Sequence, residues 1–135
     1  MSRLFFLLII LLVSSCNSSE DNFDTGSYEK ARESLEKKEK KHPEQFIVAT
    51  GSNRRNLIGQ TVVRGSITNR ASVCTYKDVQ LKISYYSKTG VLLEESSETV
   101  YEVLGPNSTQ KFKTKEFAPK GADSVSITVV GAKVQ

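Results

Sequence analysis

Residues 76–87, YKDVQLKISYYS, form the stretch that decides the fold class. Apolar side chains recur there at every second position, and polar side chains occupy most of the positions between them. The apolar set is Val79, Leu81, Ile83 and Tyr85. A period of two is typical of a β-strand with one face on a core and the other in water. We therefore expect a half-buried strand here.

Similar short runs of β-forming residues flank this strand, with turn residues such as Gly90 and Pro106 between them. They lie at residues 46–49, 56–69, 91–104, 109–117 and 123–130. The first run is expected to end at residues 51–53, GSN, which read as a break. Six short strands without an internal helix predict a mainly β chain, folded as a single antiparallel β-sandwich of immunoglobulin type over residues 46–135.

Two details of this strand set are predicted from side-chain chemistry. The polar middle of residues 91–104 predicts an edge strand, in which Glu94, Glu95 and Glu98 oppose edge-to-edge pairing with other chains. Gly59 and Gly65 lie inside a β-forming run, where a missing side chain would allow a bulge or a close backbone approach.

The first 16 residues, MSRLFFLLIILLVSSC, have the layout of a signal peptide. Arg3 precedes an apolar run at residues 4–13, which is about half of the roughly 20 residues that a membrane-spanning helix needs. Two small residues and Cys16 follow this run. We therefore expect residues 1–15 to be cleaved as a signal peptide rather than retained as a membrane span.

Residues 13–16, Val-Ser-Ser-Cys, resemble the lipobox of bacterial envelope lipoproteins. This resemblance implies lipidation of Cys16: a diacylglycerol thioether on its sulfur and a further acyl chain, such as palmitate, on its new amino group. Two or more chains suffice for stable anchoring, so the membrane is an expected partner through Cys16. Asn17 replaces the Asp of the inner-membrane retention signal, which favours the outer membrane, facing the periplasm or the outside. A soluble secreted protein cut before Cys16 is the alternative.

Residues 16–26 are expected to form the lipidated N-terminus and a flexible, polar tether. Residues 27–42, SYEKARESLEKKEKKH, predict a short charged helix that ends before Pro43. Its apolar stripe is thin, so the helix either is a solvated spacer or docks one edge on the domain. Contact of its lysines with lipid phosphates is a further alternative, and we favour the solvated spacer over it.

Several motifs in residues 59–117 resemble the FxLYD type of immunoglobulin-like domain of bacterial envelope proteins. They are V-x-G-x-I-x-N at residues 63–69, YKDV at 76–79, L-x-I-x-YY at 81–86, K-x-G at 88–90, LGP at 104–106, and Phe112. The resemblance implies an architecture in which Gly65 and Asn69 lie at a strand end and Gly90 and Pro106 in turns. Ser87 replaces an Asp that is frequent in the family. These domains generally lack catalytic residues, so the resemblance implies no ligand.

The sequence predicts no catalytic, cofactor-binding or metal-binding residues. His42 is the only histidine. If Cys16 is lipidated, His42 and Cys74 are too few histidine and cysteine ligands for a zinc site. Cys74 lies among β-formers and is expected to be a small buried hydrophobe rather than a reactive thiol. A carboxylate pair drawn from Glu94, Glu95, Glu98 and Glu102 has no apolar surroundings to raise a pKa.

The charges do not predict a nucleic-acid partner. The net charge of +4, lowered by one when Arg3 is removed, is too small to indicate a polyanion binder. Lysines alternate with Phe112 in residues 109–117, TQKFKTKEF. We interpret these lysines as the solvent-exposed face of a strand rather than as a nucleic-acid platform.

These patterns together predict a non-catalytic module of the bacterial cell envelope, anchored through Cys16, that serves interaction or structure. The expected partner is another envelope protein, which would contact a sheet edge or a strand face. The alternative is a glycan-binding or small-ligand-binding lipoprotein, for which Tyr85, Tyr86 and Tyr101 are the candidate aromatic patch. The alternation turns Tyr85 toward the core, which leaves Tyr86 and Tyr101 as ordinary surface residues.

Overall fold

Two helices and six strands make up the part of the chain that the computed structural model describes, residues 25–55 and 57–135. The helices are α1, Thr25–Lys41, and α2, Pro43–Phe46. The strands are β1, Ile47–Arg55; β2, Thr61–Asn69; β3, Tyr76–Tyr86; β4, Leu92–Val100; β5, Thr109–Lys113; and β6, Ser124–Val134. Residues 1–24, which include the expected signal peptide, Cys16 and most of the tether, lie outside the described residues.

The strands form two antiparallel sheets of three strands each, in the orders β1-β2-β5 and β4-β3-β6. Side chains from both sheets share one apolar core, which includes Val63 and Ile67 of β2 and Leu81 and Ile83 of β3. The expectation of a mainly β chain with two antiparallel sheets behind a short charged helix is confirmed. We refer to the two-sheet unit as the sandwich.

The centre of the core is the alternating face of β3. Val79, Leu81, Ile83 and Tyr85 are each at most 1% exposed, as the period of two predicts. On the opposite face, Lys82 is exposed. Burial of an aliphatic or aromatic side chain contributes about 1.5–3 kcal/mol, so this one strand supplies a large part of the apolar stabilisation.

The edge position predicted for the acidic strand is confirmed, because β4 pairs with β3 alone. The strand is shorter than the predicted run and ends at Val100. Leu104 instead forms an isolated bridge in which its backbone N–H and C=O pair with those of Tyr76. Likewise β5 ends at Lys113, because the Thr114 hydroxyl accepts the N–H of Val63 at 3.1 Å.

The predicted break at residues 51–53 is wrong, since β1 continues through them to Arg55. Gly51 pairs directly with Gly65 of β2. A Cβ on Gly51 would lie 2.6 Å from Cδ1 of Ile127 in the other sheet. Gly51 therefore serves as a point of close packing between the sheets rather than as a strand breaker.

The close backbone approach predicted at Gly65 is confirmed, whereas the same prediction for Gly59 is wrong: Gly59 lies in the turn before β2, with a φ of 81° and no neighbour within 4 Å of a Cβ built there. A Cβ on Gly65 would overlap the carbonyl oxygen of Thr50 and would lie 2.9 Å from both Cα of Gly51 and Cε1 of Phe112. Two of these three neighbours are backbone atoms of β1, which cannot turn aside as a side-chain tip can. The β1–β2 pairing thus requires glycine at this position.

Asn69, at the end of β2, joins three chain segments and is fully buried. Its side-chain Nδ2 donates to the carbonyl oxygens of Cys74, Leu104 and Gly105 at 2.9–3.1 Å. Its Oδ1 accepts the backbone N–H of Ala71 at 2.8 Å. One amide therefore fixes the loop that follows β2 and the segment that precedes β5.

We expect Asn69→Asp to lower the free energy of unfolding by at least about 2 kcal/mol, because the substitution removes both N–H donors and aims a carboxylate at three carbonyl groups. Urea unfolding followed by circular dichroism measures this loss. Thr68→Val is the matched control on the same strand, since it removes only a solvent-exposed hydroxyl pair with Thr109. Equal stabilities for Asn69→Asp and the wild type would contradict this role.

Candidate functional site

The junction between α1 and the sandwich is held by a buried carboxylate. Glu39 is fully buried although it lies near the end of a highly charged helix. Its Oε1 accepts the backbone N–H of Ser72 at 2.7 Å, and its Oε2 accepts those of Val73 at 3.0 Å and Cys74 at 2.8 Å. We call this arrangement the Glu39 clamp.

The electrostatics of the clamp favour the ionised carboxylate. Burial by itself raises the pKa of Glu39, but the three backbone N–H donors outweigh burial and hold the pKa below its ordinary value. The backbone carbonyl of Glu39 also accepts the hydroxyl of Tyr76 at 2.8 Å. Of the alternatives for the charged helix, the structure therefore favours docking on the domain over a solvated spacer.

Cys74 lies behind the clamp and is a free thiol that is 4% exposed. Its Sγ is 3.8 Å from the backbone carbonyl oxygen of Glu36. Burial, together with the neighbouring Glu39 carboxylate, raises the pKa of this thiol. The predicted burial of Cys74 is confirmed.

The acidic residues of β4 do not share one environment. Glu95 lies 3.1 Å from the Lys82 ammonium and accepts the Ser84 hydroxyl at 3.0 Å. The hydrogen bond from Lys82 lowers the pKa of Glu95, whereas a general acid needs a raised pKa. Glu98 lies on the opposite face of the strand and accepts the backbone N–H of Lys115 at 3.2 Å.

The remaining candidate side chains lie apart from one another. Tyr85 faces the core, Tyr86 is half-buried, and Tyr101 is 68% exposed with the Lys115 ammonium 5.7 Å from its ring centre. His42 lies between the two helices, with Nδ1 3.2 Å from Glu44 Oε1. Within residues 25–55 and 57–135, no group of three or more His, Cys, Asp or Glu side chains could hold a metal ion.

The lysines that alternate with Phe112 belong to a larger charged surface. Phe112 is buried in the core, and Lys111 and Lys113 are on the outer face of the β1-β2-β5 sheet, as expected for the wet face of a strand. Lys113 lies directly opposite Arg64 of β2. Arg54 of β1 projects on the same side and pairs with Val62, two residues along β2 from Arg64. We call Arg54, Arg64, Lys111 and Lys113 the basic face.

The other outward side chains of this sheet are neutral. They are Val48, Thr50, Ser52, Ser66, Thr68 and Thr109, together with Val62, which is buried. Hydroxyl pairs join Thr50 to Ser66 at 3.2 Å and Thr68 to Thr109 at 2.9 Å. Like charges placed directly opposite each other destabilise a sheet, and in the described structure no carboxylate on this face offsets them.

The outer face of the other sheet provides a contrast. There Lys82 of β3 and Glu95 of β4 form an ion pair, so charge is balanced locally. The two outer faces therefore differ strongly in charge, although the net charge of the whole chain is small. Sequence reasoning missed the basic face because Arg54, Arg64 and Lys113 are far apart in sequence and only the strand register brings them together.

The β1–β2 turn lies at one end of the basic face. Leu57 and Ile58 in this turn have relative exposures of 106% and 78%, the highest among the large apolar side chains of the described chain. They line one surface depression together with Arg54, Arg55 and Arg64. We call Leu57 and Ile58 with these three arginines the hairpin tip.

Comparison of this chain with protein-family models, with curated proteins and with solved structures found no match. None of the helices in the described part of the chain has the length and apolar character required to cross a membrane. The expected lipidation site, Cys16, falls outside the described residues.

Proposed function

We propose that this chain is a non-catalytic lipoprotein of the bacterial cell envelope, anchored through Cys16, in the outer membrane. In this proposal residues 46–135 form an immunoglobulin-like interaction module of the FxLYD type, and the partner is another envelope protein. The resemblance of residues 13–16 to a lipobox supports the anchor. The two antiparallel sheets and the position of Asn69 at the end of β2 agree with the proposed module, whereas Gly65 lies in the middle of β2 rather than at a strand end.

The observation that carries the proposal is the Glu39 clamp. The chain enters the sandwich from its N-terminal side through α1, and three backbone N–H groups hold α1 against the loop that follows β2. A helix fixed in this way presents the sandwich in a defined orientation, as an interaction module on an anchor requires. The ion-paired Glu95 and the buried Cys74 support a non-catalytic role, since neither is tuned for acid–base or nucleophilic chemistry.

The anchor is tested by cysteine substitution in a bacterial cell supplied with labelled palmitate. We expect Cys16→Ser to lose both the label and the membrane association, because only the Cys16 thiol forms the thioether. Cys74→Ala is the matched control and should retain both. A labelled, membrane-bound Cys16→Ser protein would contradict the anchor.

Crosslinking in intact cells, followed by purification of the tagged chain, tests the interaction. We expect one specific envelope protein to be captured by the wild type and lost in Cys16→Ser, which is no longer held at the membrane. Equal capture by both forms would contradict an anchored interaction. Correct anchoring without any captured protein would favour the glycan-binding or small-ligand-binding alternative.

A further inference from the structure

The hairpin tip combines two properties that are unfavourable for a free protein surface. Leu57 is fully exposed to water and Ile58 is largely exposed. Arg64 and Lys113 place like charges opposite each other on the adjoining basic face. A contiguous exposed surface of this kind is typical of an interaction site. A partner that accepts aliphatic side chains and carries negative charge would relieve both conditions.

We propose that the hairpin tip and the basic face together dock on a membrane surface rich in anionic phospholipids. Aliphatic side chains beside arginines are the composition that binds at the boundary between lipid headgroups and acyl chains. A guanidinium can donate two parallel hydrogen bonds to one phosphate group, and a negative surface potential attracts clustered basic residues. This surface involves residues distinct from Cys16, so the proposal does not depend on the anchor.

The sheet register places this surface far from the helix junction. β1 runs from Ile47, which pairs with Asn69 beside the loop that the clamp holds, to Arg55, which pairs with Thr61 beside the turn. At about 3.3 Å per residue, the nine residues of β1 separate the two ends by roughly 26 Å. The hairpin tip therefore lies at the opposite end of the sandwich from the Glu39 clamp, where it is available to a membrane surface.

The structure favours a bilayer over two other anionic partners. Single-stranded nucleic acid is bound by basic grooves with aromatic stacking platforms, and Phe112 between the two lysines of β5 is buried in the core. A soluble anionic glycan would satisfy the basic face but would leave Leu57 and Ile58 in water. A bilayer accommodates both the charged and the aliphatic groups.

Vesicle tethering tests the proposal with the full chain. The full chain is attached to beads through a C-terminal affinity tag, which lies at the end of the sandwich away from the hairpin tip, and fluorescent acceptor vesicles are added. One acceptor contains equimolar phosphatidylglycerol and phosphatidylcholine, and the other contains phosphatidylcholine alone. The acceptor fluorescence that sediments is expressed per attached chain. We expect the anionic acceptor to be retained at least about tenfold more than the neutral one, with retention that falls as salt screens the charges.

Paired variants separate the two contributions. We expect the double substitution Arg54→Gln and Arg64→Gln to lower retention of the anionic acceptor by about tenfold or more, because each basic residue contributes separately to binding an anionic surface. Leu57→Ser with Ile58→Ser should lower it several-fold. Lys30→Gln with Lys37→Gln removes the same charge from an exposed part of α1 and should leave retention unchanged. Thermal melts check that each variant remains folded.

Three results would overturn the proposal. The first is equal retention of neutral and anionic acceptors. The second is wild-type retention by the folded Arg54→Gln, Arg64→Gln variant. The third is binding of soluble polygalacturonate that persists in the Leu57→Ser, Ile58→Ser variant while anionic vesicles are not retained. This last result would assign the basic face to an anionic glycan instead.

Discussion

Replacing Glu39 with Gln is expected to release α1 from the sandwich while leaving most of the two-sheet core folded. The clamp carboxylate accepts three backbone N–H groups, and a Gln side chain has one acceptor oxygen and an NH₂ group. At least one N–H would then face another donor. A hydrogen bond to a charged group contributes about 1.5–3 kcal/mol, so we expect a loss of about 2–4 kcal/mol in the free energy of unfolding.

Release of α1 should also unfold it. A polar helix of 17 residues is marginal in water without tertiary contacts. Hydrogen exchange should therefore show loss of protection in α1 and in the amides of residues 72–74, while β3 stays protected. Glu33→Gln is the matched control, because Glu33 is an exposed carboxylate on the same helix. Undiminished protection of α1 in Glu39→Gln would contradict the clamp.

Acid should reproduce this release in the wild type. The pKa of Glu39 is held below its ordinary value, so its contribution to stability is fully present above the pKa of an unfolded glutamate, about 4.3. The contribution is lost as the pH falls through the lower pKa of the folded state. Helical circular dichroism of the wild type should fall over that acid range. Glu39→Gln, which lacks this carboxyl group, should not show the transition.

Gly65→Ala is expected to be the most destabilising conservative change in the sandwich. The new Cβ would overlap the Thr50 carbonyl oxygen and crowd Cα of Gly51 and the ring of Phe112. Overpacking costs about 1–3 kcal/mol where side chains can adjust. Here the backbone of β1 must move, so we expect a loss of at least about 3 kcal/mol and weakened β1–β2 pairing.

Urea unfolding of Gly65→Ala beside a second glycine variant measures this effect. Gly131→Ala is the matched control, because Gly131 is also in a strand and a Cβ there would have no neighbour within 4 Å. We expect Gly131→Ala to be neutral or slightly stabilising, since alanine loses less conformational freedom on folding. Similar stabilities for the two variants would contradict the requirement for glycine at position 65.

Much of the fold could be predicted because a half-buried strand requires apolar and polar residues to alternate along the sequence. The alternation of β3 predicted four buried side chains, and the acidic middle of β4 predicted an edge strand. The length of β1 could not be predicted from residues 51–53, because glycine marks a turn and a close sheet contact equally well. Only the opposing Gly65 and the side chain of Ile127 distinguish the two meanings.

The candidate sites were harder to predict, since each depends on long-range geometry. Glu39 is one of several similar glutamates in α1, and nothing in its neighbours marks it as buried. Its role depends on three N–H groups more than 30 residues away. The basic face depends in the same way on the register of three strands. Net charge, a sum over the whole chain, contains no information about such placement.

The position of Cys74 makes the thiol an internal reporter of helix opening. It lies beneath α1, with its sulfur beside the Glu36 carbonyl and its backbone N–H bound by Glu39. A thiol-specific reagent can reach this sulfur only when the helix moves away, so the alkylation rate measures how often the junction opens. If Cys16 carries lipid, Cys74 is the sole remaining thiol in the chain. The alkylation rate of the unmodified protein then reports the opening of α1 without an added label.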